Sequence, residues 1–152
     1  MRVDDTIYIE APPDLVWAVT TDVERWPEWA PTFTSVARLD EGPFGMGSVA
    51  RIKQPLQAEA EWTVTEFAEG RRFAWTTRRA GLQMTGTHEV SPRGSGSRNL
   101  LRVEASGVIA VLLWPLLRIA FARSQSTENR GLKARCEALS RGGADEYHLT
   151  RP

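Results

Sequence analysis

Cysteine is almost missing from this 152-residue sequence. Cys136 stands alone, so no disulfide can form within the chain and the fold must rest on its core. Histidine is nearly as scarce: His88 and His148 lie sixty residues apart, with no ligand spacing for zinc or another metal. Net charge is lacking too. Nineteen basic and nineteen acidic residues cancel, which excludes a domain whose main work is wrapping polyanionic nucleic acid. There is no internal repeat, low-complexity tract or linker long enough to separate domains, so one domain is expected over residues 1–141, with a tail over 142–152. No apolar run reaches the ~20 residues of a membrane span. The longest, Gly107 to Ala122, is broken by Arg118 and reads as a buried helix, with membrane-surface contact the weaker alternative. The Met-Arg-Val-Asp-Asp start lacks the charged-then-apolar layout of a signal peptide, which predicts the cytoplasm. Gly45-Met46-Gly47 leads into a strand and does not open a helix, so it is no nucleotide loop, and no cofactor is expected.

What is present suits a folded domain. Hydrophobic residues make up 41% of the chain, enough to build a core at a length typical of single domains. Charge is uneven along it: residues 1–70 carry 5 basic and 13 acidic groups, residues 71–102 carry 7 and 1, and residues 103–152 carry 7 and 5. The middle arginines, Arg71, Arg72, Arg78, Arg79, Arg93, Arg98 and Arg102, read as the solvent side and turns of strands, since no helix or aromatic motif accompanies them.

Gly and Pro punctuate the elements. Thr6 to Glu10 alternates as a strand, and Pro12-Pro13 turns it into a helix with Leu15, Val16 and Val19 on one face. Asp22 is placed to cap a second short helix holding Val23, Arg25 and Trp26, ended by Pro27 and Pro31. Short strands follow over 35–39, 48–54, 58–67, 72–79, 82–91 and 98–106, with hairpin-length breaks that require antiparallel pairing. From about Val108 to Ser140 the spacing of Leu113, Leu117, Phe121, Leu132, Cys136 and Leu139 predicts one long helix, although Gly131 weakens its middle.

The two tightest hairpins set a register. A two-residue turn at Ala80-Gly81 places Trp75 opposite Gly86 and Phe73 opposite His88. A four-residue turn over 68–71 places Val64 opposite Trp75 and Glu66 opposite Phe73. One face then holds Trp62, Val64, Phe73, Trp75, Met84 and Val90, and with them His88 and Glu66. His88 suits a histidine satisfied inside a core or an acid–base group, and Glu66 suits a solvated strand end or the same chemistry. Trp26 and Trp29, in a proline-bounded piece after a helix, suit either a pocket rim or plain packing.

The stretch from Ile9 to Trp17, together with Trp26-Pro27-Glu28-Trp29, Gly45-Met46-Gly47, Gln54-Pro55, Trp62-Thr63-Val64, Gly70 to Trp75 and His88, resembles the START-like superfamily in its polyketide cyclase/dehydrase branch. The resemblance covers residues 4 to about 140. It implies an α+β helix-grip fold: a curved antiparallel sheet of six or seven strands wrapped round the long C-terminal helix, with two short helices after the first strand and a deep apolar cavity between. The function expected is binding of a hydrophobic or polycyclic small molecule by Trp26, Trp29, Trp62, Phe73, Trp75, Met84, His88, Leu117 and Phe121, as carrier or sensor. The alternative is a cyclase or dehydratase that uses His88 or Glu66 as acid or base. The hydrophobic small molecule is the expected partner, and a homodimer is left open.

Overall fold

A computed structural model describes residues 1–142; of the expected tail over 142–152, Gly142 ends the last helix and 143–152 lie outside the described residues. β1 (Arg2–Ile9) is followed by α1 (Pro13–Thr21) and a 3-10 helix, Val23–Glu28. Pro12 supplies an extended residue before α1 and Pro13 its first turn, where a missing N–H costs nothing, while Asp14 sits at the positive end of the helix dipole. Asp22 starts the 3-10 helix through its backbone carbonyl, which accepts from the Arg25 N–H at 3.1 Å, instead of through a side-chain cap. Pro27 falls inside that helix.

The remaining strands are β2 (Ser35–Arg38), β3 (Val49–Lys53), β4 (Ala60–Ala68), β5 (Arg72–Arg79), β6 (Leu82–Arg93) and β7 (Gly96–Ser106), and α2 (Val108–Gly142) closes the chain. They form one curved antiparallel sheet in the order β1-β7-β6-β5-β4-β3-β2. β2 to β7 is a run of consecutive hairpins, and β1 reaches the far edge by way of α1. The turn between β6 and β7 is shorter than its Gly/Ser-rich sequence suggests: Arg93 pairs with Gly96, leaving two residues with Gly94 at φ 56°.

β5 and β6 pair in the expected register, with Trp75 opposite Gly86 and Phe73 opposite His88. β4 and β5 do so only in part. Val64 faces Trp75, but a β-bulge at Thr65 brings Phe67, not Glu66, opposite Phe73. The bulge adds a residue to one strand and turns the residues after it to the opposite face. Glu66 therefore points out of the sheet, 3.2 Å from Arg72: the reading of a solvated strand end holds, and the inward place that an unbroken register gives it, with any acid–base role there, does not.

The core lies between the inner face of the sheet, α1, the 3-10 helix and the C-terminal half of α2. Leu15, Val16, Val19, Trp26, Phe73, Leu132 and Cys136 are all buried there. Gly131 has a role in this packing: a Cβ at that position would run into the carbonyl oxygen of Trp29, so the glycine lets the end of the 3-10 helix lie directly on α2. Burial in apolar surroundings pushes the Cys136 thiol up to about 12, as fits an inert core residue.

The N-terminal half of α2 departs from the expected buried helix. Leu112 and Leu116 are each 69% exposed, Leu113 is 43% exposed, and Val108, Val111 and Ile119 are exposed as well. By length and composition α2 could cross a membrane, yet only 11% of its most apolar window is buried within the protein.

Candidate functional site

The polar side chains of α2 decide where the helix lies. Gln125 Nε2 donates to the Val3 carbonyl at 3.1 Å, Asn129 Nδ2 to the Asp5 carboxylate at 2.7 Å, and Lys133 Nζ to the Tyr8 carbonyl at 2.9 Å. These residues are four apart, so they form one stripe, and β1 is an edge strand with backbone acceptors to spare. Asn99 on β7 completes the anchor by donating to Asn129 Oδ1 at 2.7 Å. Tying α2 to the β1 side of the sheet leaves space over β4, β5 and β6.

That space is an apolar cavity of about 240 Å³. Trp62, Trp75, Met84 and His88 line it from the sheet, Trp26 from the 3-10 helix, and Leu117, Phe121, Gln125 and Glu128 from α2. Trp75 lies over Gly86, whose missing side chain makes room for the indole. The Trp26 N–H donates to the Thr20 carbonyl at 3.1 Å, so its ring presents only apolar surface. Gln54 and Gln57, between β3 and β4, line it as well.

Seven of the nine residues expected to line a pocket do so. Phe73 and Trp29 do not. Phe73 lies behind His88, stacked on the imidazole at 4.6 Å with 12° between the planes. It also meets Phe44 edge-on at 5.0 Å and so walls off the cavity from a wider, more polar groove bordered by Trp17, Phe44, Phe67, Arg38 and Glu69. Trp29 packs on Trp26 at 6.1 Å and under Gly131.

Glu128, which the sequence reading does not single out, supplies the chemistry that Glu66 does not. Its Oε1 is 3.8 Å from His88 Nδ1, beyond hydrogen-bond reach. Both groups are deeply buried, and loss of water alone pushes the Glu128 carboxyl up to about 8 and the His88 imidazole down to about 3. Near neutral pH the pair is a carboxylic acid beside an uncharged imidazole. Burial penalises the imidazolium–carboxylate alternative twice, once for each ion. One turn earlier, Gln125 Oε1 is buried without a hydrogen-bond partner. Three uncharged polar groups thus share one place in a mostly apolar chamber. A signal for Glu128 exists in the sequence: with Gln125 and Asn129 it interrupts, at helical spacing, the stripe running from Leu117 and Phe121 to Leu132.

Residues 1–137 match the family model described as polyketide cyclase/dehydrase and lipid transport. The chain belongs to this family. Among solved structures, TTHA0849 from Thermus thermophilus is similar at 20% identity and a TM-score of 0.75, covering 92% of this chain and 99% of that one. A START superfamily protein from Mycobacterium smegmatis is similar at 16% identity and 0.74, covering 91% and 98%. The Zhui aromatase/cyclase from Streptomyces sp. R1128 gives 19% and 0.73, covering 91% and 94%. At these identities the likeness establishes the helix-grip architecture. No curated protein matches the chain. The polyketide cyclase/dehydrase and lipid transport family thus accounts for the sheet and its gripped helix, and the chamber chemistry has to be read from this chain's own residues.

Proposed function

We propose that the protein binds a small, largely apolar molecule with one polar end in the cavity between the sheet and α2, and carries or senses it in the cytoplasm. The observation that carries this reading is the meeting of His88, Gln125 and Glu128 inside a chamber walled by tryptophan, leucine and phenylalanine. The Glu128 acid offers a donor, Gln125 Oε1 an acceptor, and the imidazole one of each. A ligand hydroxyl, phenol or carbonyl would satisfy them. A charged ligand end fits less well: Glu128 and His88 are uncharged there, and the guanidinium of Arg102, which also lines the cavity, is already paired with the Asp4 carboxylate at 2.8 Å. The volume of about 240 Å³ is slightly below the common range of about 300–1,000 Å³ and favours one or two rings, or a short acyl chain, over a large polycycle.

Native mass spectrometry of the purified protein, with organic extraction of bound material, tests this. A neutral apolar compound bound in equal proportion to protein, and displaced by a hydrophobic fluorescent probe, is the expected result. An empty protein that takes up no such probe would contradict it.

The His88–Glu128 pair favours one further reading, an enzyme acting on a polyketide-like carbonyl compound. The Glu128 acid would give its proton to the carbonyl oxygen while the imidazole removed the proton from the neighbouring carbon, producing an enol and leaving an ion pair that is reset by proton return. Turnover of such a substrate, lowered about 10²–10⁴-fold in Glu128→Gln or His88→Gln as acid–base catalysis requires, separates this reading from carriage, where no turnover exists to lose.

A further inference from the structure

We infer that the exposed apolar face of α2 is a docking surface for an anionic lipid bilayer, with the cavity mouth turned toward the lipid. Leu112, Leu116 and Ile119 stand four and three residues apart and form one outward stripe, continued by Arg123 a turn later. Each of the three aliphatic side chains is at least half exposed. Nothing among the described residues covers them. From Ala105 to Thr127 the chain has two arginines, Arg118 and Arg123, and no aspartate or glutamate, and both arginines are exposed.

The loop between β3 and β4, whose Gln54 and Gln57 line the same cavity as Leu117 and Phe121, repeats the pattern. Leu56, between Gln54 and Gln57, is fully exposed and held at φ 62°, a left-handed conformation that leucine rarely adopts. An aliphatic side chain is thereby presented to the outside at a loop tip. Two separate elements that line one cavity thus offer aliphatic groups to the outside.

Charge decides between a bilayer and a second copy of the chain. A two-fold interface through this face would bring Arg123 of both copies to it, with Arg118 on the flank, and no aspartate or glutamate between Ala105 and Thr127 to pair them. Anionic headgroups supply that charge, while the aliphatic stripe enters the acyl boundary as an interfacial helix does. The helix cannot pass through the bilayer in this arrangement, because Gln125, Asn129 and Lys133 hold its second half along β1. Since Leu117 and Phe121, on the inner side of the same turns, line the cavity, a molecule could move between lipid and chamber without crossing water. Docking itself does not require the proposed ligand.

Flotation of the full chain with vesicles of phosphatidylcholine, with and without phosphatidylserine, tests the inference. The wild type should float with the anionic vesicles, less so as salt rises, and weakly with phosphatidylcholine alone. The double variant Leu112→Ser/Leu116→Ser should bind at least about tenfold less, and Leu56→Ser in the loop between β3 and β4 should also bind less. Arg118→Glu/Arg123→Glu should lose the preference for phosphatidylserine. All five side chains are exposed, so unfolding midpoints should stay near wild type. The inference is overturned if the wild type floats with neither vesicle, or if the variants float as well as the wild type. A concentration-dependent dimer that Leu112→Ser/Leu116→Ser dissociates, with no vesicle binding, would assign the face to a second copy instead.

Discussion

Replacing Glu128 by glutamine keeps the shape of the side chain and removes its ionisation, so the stability of the two proteins should differ with pH. The carboxyl rises from an ordinary 4.5 to about 8 on folding, and the His88 imidazole falls from 6.5 to about 3. Between pH 4.5 and about 8 the folded protein keeps a proton on Glu128 that the unfolded chain has released. Stability from this group is therefore intact below 4.5 and is lost as pH rises toward 8, at about 1.4 kcal/mol per pH unit. His88 works in the opposite sense: between pH 3 and 6.5 the unfolded chain holds a proton that the folded protein lacks, so stability climbs with pH there. The two slopes cancel between 4.5 and 6.5, which gives the wild type a plateau. Above it, from 6.5 to about 8, the wild type should lose about 2 kcal/mol. In Glu128→Gln the climb should continue to pH 6.5 and then level off, with no descending limb. Urea unfolding followed by tryptophan fluorescence across this range measures both curves. Parallel curves above pH 6.5 would refute the argument. So would a wild type that weakens on acidification through pH 4 while Glu128→Gln does not, because the carboxyl would then be ionised and paired with an imidazolium.

Trp75→Ala should cost about 3–5 kcal/mol and also weaken uptake of a hydrophobic probe, because the ring is both buried and a cavity wall; unchanged uptake would place the probe elsewhere. Leu117→Trp should fill the chamber and reduce probe uptake with little change in midpoint, and undiminished uptake would point to the wider groove beside Phe44. Gly131→Ala should destabilise by about 1–3 kcal/mol through the clash with Trp29, whereas in an open helix the same change gains about 1 kcal/mol. The sign of the measured change decides whether α2 lies directly on that carbonyl.

Some positions are beyond the reach of a pattern argument. A hairpin register extends only as far as the strand is regular, and the bulge at Thr65 carries no marker such as a glycine. Regular alternation thus puts Glu66 on the wrong face while placing Val64, two residues earlier, on the right one. Phe73 and Trp29 carry the aromatic character of pocket residues, but their neighbours His88 and Gly131 leave them behind the wall. Glu128 does fall on the helical stripe from Leu117 and Phe121 to Leu132, yet the pattern alone does not bury it, because a lone carboxylate on a helix ordinarily faces water. Its burial depends on β6 lying opposite, forty residues away in the chain.

The amino-acid sequence by itself determined the order of elements, the antiparallel pairing, the inward set of Trp62, Trp75, Met84 and His88, and the long closing helix. These follow from local rules: alternation along a strand, helical spacing, and the short reach of a hairpin. Tertiary structure alone decided that α2 is pinned to the β1 edge through Gln125, Asn129 and Lys133. From that one placement come the cavity over β4 to β6, the burial of Glu128 beside His88, and the exposure of Leu112 and Leu116. Helical periodicity says which side chains share a face, but the energy of a buried carboxyl or an uncovered leucine depends on what stands opposite it, and distant segments of the chain supply that partner.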